Sequence, residues 1–84
     1  MHDPFTSTVR PLAREHLEAA QERLAGLVAA SDDREAWRQW RSLEQVWDLL
    51  GPDHRRTLKD TARDALPEAP DGARRLAVVE KLPD

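Results

Sequence analysis

The chain of 84 residues leaves room for one domain with one modest core, because so short a chain buries only about 60% of the surface that its unfolded form exposes. Its 39% of apolar residues argues against a disordered chain, and its net charge of −3 argues against a general nucleic-acid-binding surface. The absence of Cys excludes disulfide bonds and Cys-based metal sites.

The distribution of apolar residues predicts a cytoplasmic protein that does not contact a membrane. The N-terminal residues lack a basic stretch followed by an apolar one, which a secretory signal requires. No run of about 18 apolar residues, the minimum for a membrane-spanning helix, occurs anywhere in the chain.

The first third of the chain predicts one long helix. Residues 1–7 contain Pro4 and are interpreted as an irregular lead. Helical spacing of apolar residues, with Leu17, Leu24 and Leu27 on one face, then predicts a helix over residues 9–30. Thr8 is the expected cap of this helix.

The second predicted helix, over residues 33–50, holds all three Trp residues. Its apolar residues are spaced four, three, four and three, so they form one stripe: Ala36, Trp40, Leu43, Trp47 and Leu50. Asp32 is the expected N-cap, with Glu35 completing a capping box. Gly51, in a left-handed conformation, and Pro52 are expected to end the helix.

Two shorter helices are predicted after Pro52. One spans residues 53–66, with Leu58 facing inward, and the other spans residues 72–81, with Asp71 as its cap. The Pro-rich run between them marks a break.

The short link between the first two helices predicts that they double back on each other. Counting outward from this turn places Leu27 opposite Trp37. The sequence therefore predicts a single all-α domain over residues 1–84, a small bundle of three to four helices built on an N-terminal antiparallel helical hairpin.

No set of residues predicts catalysis. His2, His16 and His54 are scattered, and no pair has the helical spacing of metal ligands. The sequence has no Gly-rich phosphate loop and no recognisable His, carboxylate and hydroxyl set. We therefore expect a protein that is not an enzyme, with no cofactor and no metal.

The leading functional hypothesis is a protein-interaction or regulatory module that binds another protein or a second copy of itself. Four apolar residues lie off the predicted stripes: Trp37, Leu49, Val78 and Leu82. Trp37 is the expected interface anchor, because Trp and Arg are over-represented among residues that dominate binding energy. Three arginines lie to one side of it on the helix and complete the predicted partner-binding site: Arg34, Arg38 and Arg41.

The alternative hypothesis is a DNA-binding regulator. Residues 46–66 are compatible with a helix-turn-helix, whose second helix would present basic side chains to phosphates or bases: Arg55, Arg56, Lys59 and Arg63. The same helix contains Asp53, Asp60 and Asp64. Such alternation of Arg and Asp is more typical of a solvated face with ion pairs along the helix, so nucleic acid is the less favoured partner.

Overall fold

The protein is an all-α bundle, seen in a computed structural model that describes the backbone of residues 4–84 and the side chains of residues 14–84. Within that part of the chain there are four α-helices and no strand: α1 (Pro4–Ala29), α2 (Asp33–Trp47), α3 (Pro52–Ala65) and α4 (Gly72–Glu80). A short 3-10 helix, Leu66–Glu68, joins α3 to α4. No helix in the described residues is long and apolar enough to cross a membrane.

The first two helices form the antiparallel hairpin on which the bundle is built. α1 packs more extensively against α2 than any other pair of elements does. Gly26 of α1 faces Gln39 of α2, since a Cβ on Gly26 would lie only 2.6 Å from the Gln39 side-chain amide.

α2 begins as the sequence predicts and ends earlier. The Asp32 carboxylate accepts a 2.8 Å hydrogen bond from the Glu35 backbone N–H. The Glu35 side chain accepts from Gln39, one turn on in the helix. No hydrogen bond of the described residues joins the Glu35 side chain to the Asp32 backbone N–H, so the predicted capping box is only half formed. The helix ends at Trp47, three residues before the predicted end, and residues 48–50 form a turn. Gly51 has φ −76°, so the predicted left-handed Gly cap is wrong, and Gly51 is instead the N-cap of α3.

Other predicted boundaries also differ. α1 begins at Pro4 rather than at residue 9, so residues 4–7 are helical and not an irregular lead. Residues 1–3 lie outside the described residues. Asp71 precedes α4 in a left-handed conformation, with φ 53°. Asp71 is therefore the N-cap residue of α4, as predicted, but it makes no side-chain capping hydrogen bond.

The core lies where the hairpin meets α3 and α4. Its largest fully buried side chains come from all four helices and the 3-10 helix: Leu27, Leu43, Trp47, Leu58, Leu66 and Val79. α4 packs mainly against α3 and the 3-10 helix, whereas α3 also contacts α1. Leu82, predicted to be surplus apolar surface, is buried, because the chain after α4 folds back onto the core.

Candidate partner-binding cleft

A mostly apolar cleft lies between the first half of α2 and α4. It has a volume of about 160 Å³, and we call it the Trp37 cleft. Leu27 of α1 and Asp71 of the turn before α4 line it. The other lining residues are four from α2 (Asp33, Ala36, Trp37 and Trp40) and three from α4 (Arg74, Arg75 and Val78). The cleft therefore combines apolar walls with a few charged groups, the usual chemistry of a binding site.

Two stacked indole rings form the α2 wall of the cleft. The ring centroids of Trp37 and Trp40 are 5.2 Å apart, and the ring planes are inclined by 20°. Trp37 is 56% exposed, whereas Trp40 is half-buried and packs on the core. Trp40 thus holds Trp37 in place, and most of the Trp37 ring remains available at the cleft.

The α4 wall contains a buried arginine. Arg75 is only 6% exposed, and its Nη1 donates hydrogen bonds to the carbonyl oxygens of Leu27, at 3.0 Å, and Ala30, at 2.8 Å. These carbonyls lie at the C-terminal end of α1, where the helix dipole favours a positive charge. Arg75 therefore caps α1 from α4 and ties the last helix to the hairpin.

Two residues that line the cleft each carry a buried N–H donor with no acceptor among the described residues. The two donors are the Nε1 of Trp40 and the Nε of Arg75. No carboxylate of the described residues lies within 4 Å of the Arg75 guanidinium, so its charge is balanced only by backbone carbonyls. A buried donor without a partner is energetically costly, and a buried charge more so.

The mouth of the cleft carries charges of both signs. Arg74 lies 3.8 Å from the Asp33 carboxylate, and both side chains are largely exposed. Asp71 adds a second carboxylate from the turn before α4. An exposed pair of this kind contributes little to stability, so these charges bear mainly on which ligands the cleft accepts.

The arginines predicted to flank Trp37 lie outside the cleft. Arg34, Arg38 and Arg41 are exposed on α2, and none of them lines the cleft. Arg38 lies 3.5 Å from Glu35 in an ion pair along the helix. Arg74 and Arg75 were not predicted as site residues, because a charged residue on a short helix is normally interpreted as solvated. The unusual signal was Arg75 beside Leu76 on the apolar side of α4.

The basic residues proposed for nucleic acid are engaged within the chain. Arg55 donates to the Trp47 carbonyl at 3.1 Å, and Arg56 lies 3.9 Å from Asp53. Arg63 holds Glu80 through two hydrogen bonds, of 2.8 and 3.0 Å.

Lys59 departs most from the prediction, which placed it on the polar side of the helix. It is only 5% exposed, and its Nζ lies 2.7 Å from the Asp84 carboxylate. The same Nζ donates to the Glu80 carbonyl at 3.2 Å. Lys59 is therefore a structural cation that ties α3 to the chain after α4.

The free energy of unfolding should fall in acid, because the carboxylates of Glu80 and Asp84 are stabilised in their ionised form in the folded protein. A hydrogen bond from Arg63 lowers the pKa of Glu80, and one from Lys59 lowers the pKa of Asp84. A lowered folded pKa gives stability that is present above the unfolded pKa, near 4, and is lost as the pH falls through the folded pKa. We expect the urea concentration at the midpoint of unfolding, measured by circular dichroism, to decrease as the pH is lowered from about 5 to about 3.

Asp84→Asn isolates the Lys59 pair in this measurement. The variant should be less stable than the wild type at neutral pH, and the difference should narrow as the pH falls, because Asp84 is then protonated in the wild type as well. An equal difference at every pH would show that the ionisation of Asp84 does not contribute.

A second depression lies between α1 and α3 and has a volume of about 420 Å³. Its lining contains no charged residue: Gln21, Leu24, Ala25, Val28, Thr61 and Ala65. It lacks an exposed aromatic side chain and an unpartnered donor, so it offers less chemical specificity than the Trp37 cleft.

The described residues contain no cluster of three or more His, Asp or Glu side chains able to hold a metal ion. Comparison of the chain with protein-family models, curated proteins and solved structures finds no match. The Trp37 cleft therefore has to be interpreted from its own chemistry.

Proposed function

We propose that the protein is a small non-enzymatic binding module that takes a segment of a partner protein in the Trp37 cleft. The observation that carries the proposal is Trp37 itself, 56% exposed, stacked on Trp40 and forming the wall of an apolar cleft that contains a buried arginine. Large exposed aromatic residues in such settings are typical binding hot spots. Trp37 was the expected anchor from the sequence; the cleft beside it supplies a place for the partner side chain.

A protein partner is favoured over nucleic acid by the state of the basic residues. Arg55, Arg63 and Lys59 are hydrogen-bonded to the chain's own carbonyls and carboxylates, so phosphate contacts would have to displace these bonds. The Trp37 cleft also carries Asp33 and Asp71, which repel a polyanion.

The chain offers a matched pair of variants to test the proposal. Trp37 and Leu49 are exposed to nearly the same extent, 56% and 57%, but only Trp37 lines the cleft. We expect Trp37→Ala to lose at least about ten-fold in affinity for a partner captured from native cells, a typical hot-spot effect, and Leu49→Ala to retain it. Both variants should fold, because both side chains are largely exposed.

The partner could also be a second copy of the chain, and the same variants decide this. Sedimentation velocity over a range of concentrations should then show a dimer that Trp37→Ala disrupts and Leu49→Ala does not. If neither capture nor self-association depends on Trp37, the proposed function is wrong.

A further inference from the structure

We infer that the Trp37 cleft binds the C-terminal residue of a partner polypeptide, with its apolar side chain against the indole rings and its free carboxylate on Arg75. This inference rests on the proposed function and specifies the chemistry of the partner. It follows from the size of the cleft, its unpartnered donors and the signs of its charges.

The size of the cleft favours a single residue. Its volume of about 160 Å³ is below the roughly 300–1,000 Å³ of pockets that enclose drug-sized ligands. The apolar part of the wall comes from Leu27, Ala36 and Val78 together with the two indole rings. One apolar side chain is thus the natural occupant of this space.

The free edge of Arg75 favours a carboxylate. Both hydrogen bonds to the α1 carbonyls use Nη1, and Nε has no acceptor among the described residues. An arginine can bind a carboxylate through two parallel N–H bonds, and the edge that carries Nε is the one those carbonyls leave unused. A carboxylate there would satisfy a buried donor and balance a buried charge at the same time.

The second unpartnered donor, on Trp40, calls for a further oxygen. Trp40 Nε1 is buried with no acceptor among residues 14–84, and the residue lines the same wall as Trp37. The C-terminal residue of a polypeptide provides two carboxylate oxygens and an apolar side chain, and the peptide group before it adds a carbonyl oxygen. In an internal Asp or Glu the carboxylate is the side chain itself, so the same residue does not also provide an apolar side chain.

The mouth of the cleft argues against a strongly acidic partner. Asp33 and Asp71 both line the cleft, so a run of Asp and Glu would meet two carboxylates as it approached Arg75. A single terminal carboxylate on an otherwise neutral or basic segment meets less of this repulsion, and Arg74, 3.8 Å from Asp33, offsets part of what remains. The same two residues weigh against phosphate groups.

The test uses the full chain and two sets of N-acetylated tripeptides, Gly-Gly-X, in which X is Leu, Val or Phe. One set has a free C-terminal carboxylate and the other a C-terminal amide. Binding is followed by the NMR signals of the indole N–H groups, which report on Trp37 and Trp40 directly. We expect the free acids to shift the Trp40 signal with Kd on the order of 1 mM and the amides to bind about ten-fold more weakly.

Two variants locate the carboxylate. Val78→Asp introduces a like charge at the cleft, and Leu49→Asp introduces the same charge on an exposed side chain outside it. We expect Val78→Asp to weaken acid binding by about ten-fold and Leu49→Asp to leave it nearly unchanged. Trp40→Phe keeps an aromatic ring but removes the N–H donor. It should therefore reduce the difference in affinity between the acid and amide tripeptides.

The inference is overturned if acid and amide bind equally, if no acid in the set shifts the Trp40 signal, or if Leu49→Asp weakens binding as much as Val78→Asp does. Failure here is distinct from failure of the proposed function. Partner capture that depends on Trp37, combined with equal binding of acid and amide, would keep the binding module and reject the terminal carboxylate. Capture independent of Trp37 would reject the module itself.

Discussion

Trp47→Ala should cost about 3–5 kcal/mol of folding free energy, the range measured for truncation of a buried Trp. Trp47 is only 1% exposed, and its indole N–H donates to the carbonyl oxygen of Pro83, so its loss opens a cavity and removes a tie to the chain after α4. Its own carbonyl accepts from Arg55 of α3. Trp47 thus connects the hairpin both to α3 and to the chain after α4.

The size of this effect is large against the total stability of so small a domain. At roughly 0.05–0.15 kcal/mol per residue, a chain of this length has a free energy of unfolding of about 4–13 kcal/mol. A loss of about 3–5 kcal/mol is therefore between about a quarter and the whole of this stability, and urea unfolding followed by circular dichroism should show a correspondingly lower midpoint for Trp47→Ala.

The other two Trp residues provide the controls for Trp47. Because Trp40 is half-buried and Trp37 mostly exposed, the loss in stability should decrease in the order Trp47, Trp40, Trp37 when each is changed to Ala. Trp37→Ala should stay within about 1 kcal/mol of the wild type. Equal losses at all three positions would contradict the assignment of Trp47 to the core and Trp37 to the cleft.

Gly72→Ala should destabilise the protein by roughly 3 kcal/mol, the upper end of the usual cost of overpacking. A Cβ at Gly72 would overlap the carbonyl oxygen of Leu66 and lie 2.8 Å from the carbonyl carbon of the same residue. Both atoms belong to the backbone of the 3-10 helix, so no side-chain rotation can relieve the overlap. The backbone N–H of Gly72 also donates to the Ala69 carbonyl at 2.9 Å, which fixes the approach.

Gly51→Ala is the matched control for this substitution. Gly51 has an extended backbone that any residue adopts, and a Cβ there meets nothing within 4 Å. Gly51→Ala should change the free energy of unfolding by less than about 0.5 kcal/mol, because the smaller entropy of the unfolded chain offsets a slightly poorer helix cap. Urea midpoints of the two variants give the comparison. If Gly72→Ala reduced the free energy of unfolding no more than Gly51→Ala does, α4 would not approach the 3-10 helix as closely as described.

Helical periodicity predicted much of the core. Leu24, Leu43, Trp47 and Leu58 lie on the predicted inner faces and are buried, because a residue's face on a helix is fixed by its spacing along the chain. The Asp32 cap was equally predictable, since the hydrogen bond it makes is to a residue only three positions away.

Lys59, Arg75 and Leu82 could not be assigned from local pattern. Lys59 and Arg75 are charged residues that are buried because distant groups satisfy them: Asp84 and the Glu80 carbonyl for Lys59, and the end of α1 for Arg75. Leu82 is buried because the chain returns to the core after α4. In each case the partner lies far along the sequence, where periodicity carries no information.

The sequence by itself determined that the chain forms helices, that the first two make a hairpin and that Trp37 lies off the inner stripe. These features depend on spacing, capping and a short link, which are local properties. The tertiary structure alone decided that α4 lies across the cleft from Trp37, that Arg75 is buried against the end of α1 and that the predicted arginines of α2 lie outside the cleft. A cleft between two helices depends on how far apart packing holds them, and that distance is fixed by contacts between residues far apart in the chain.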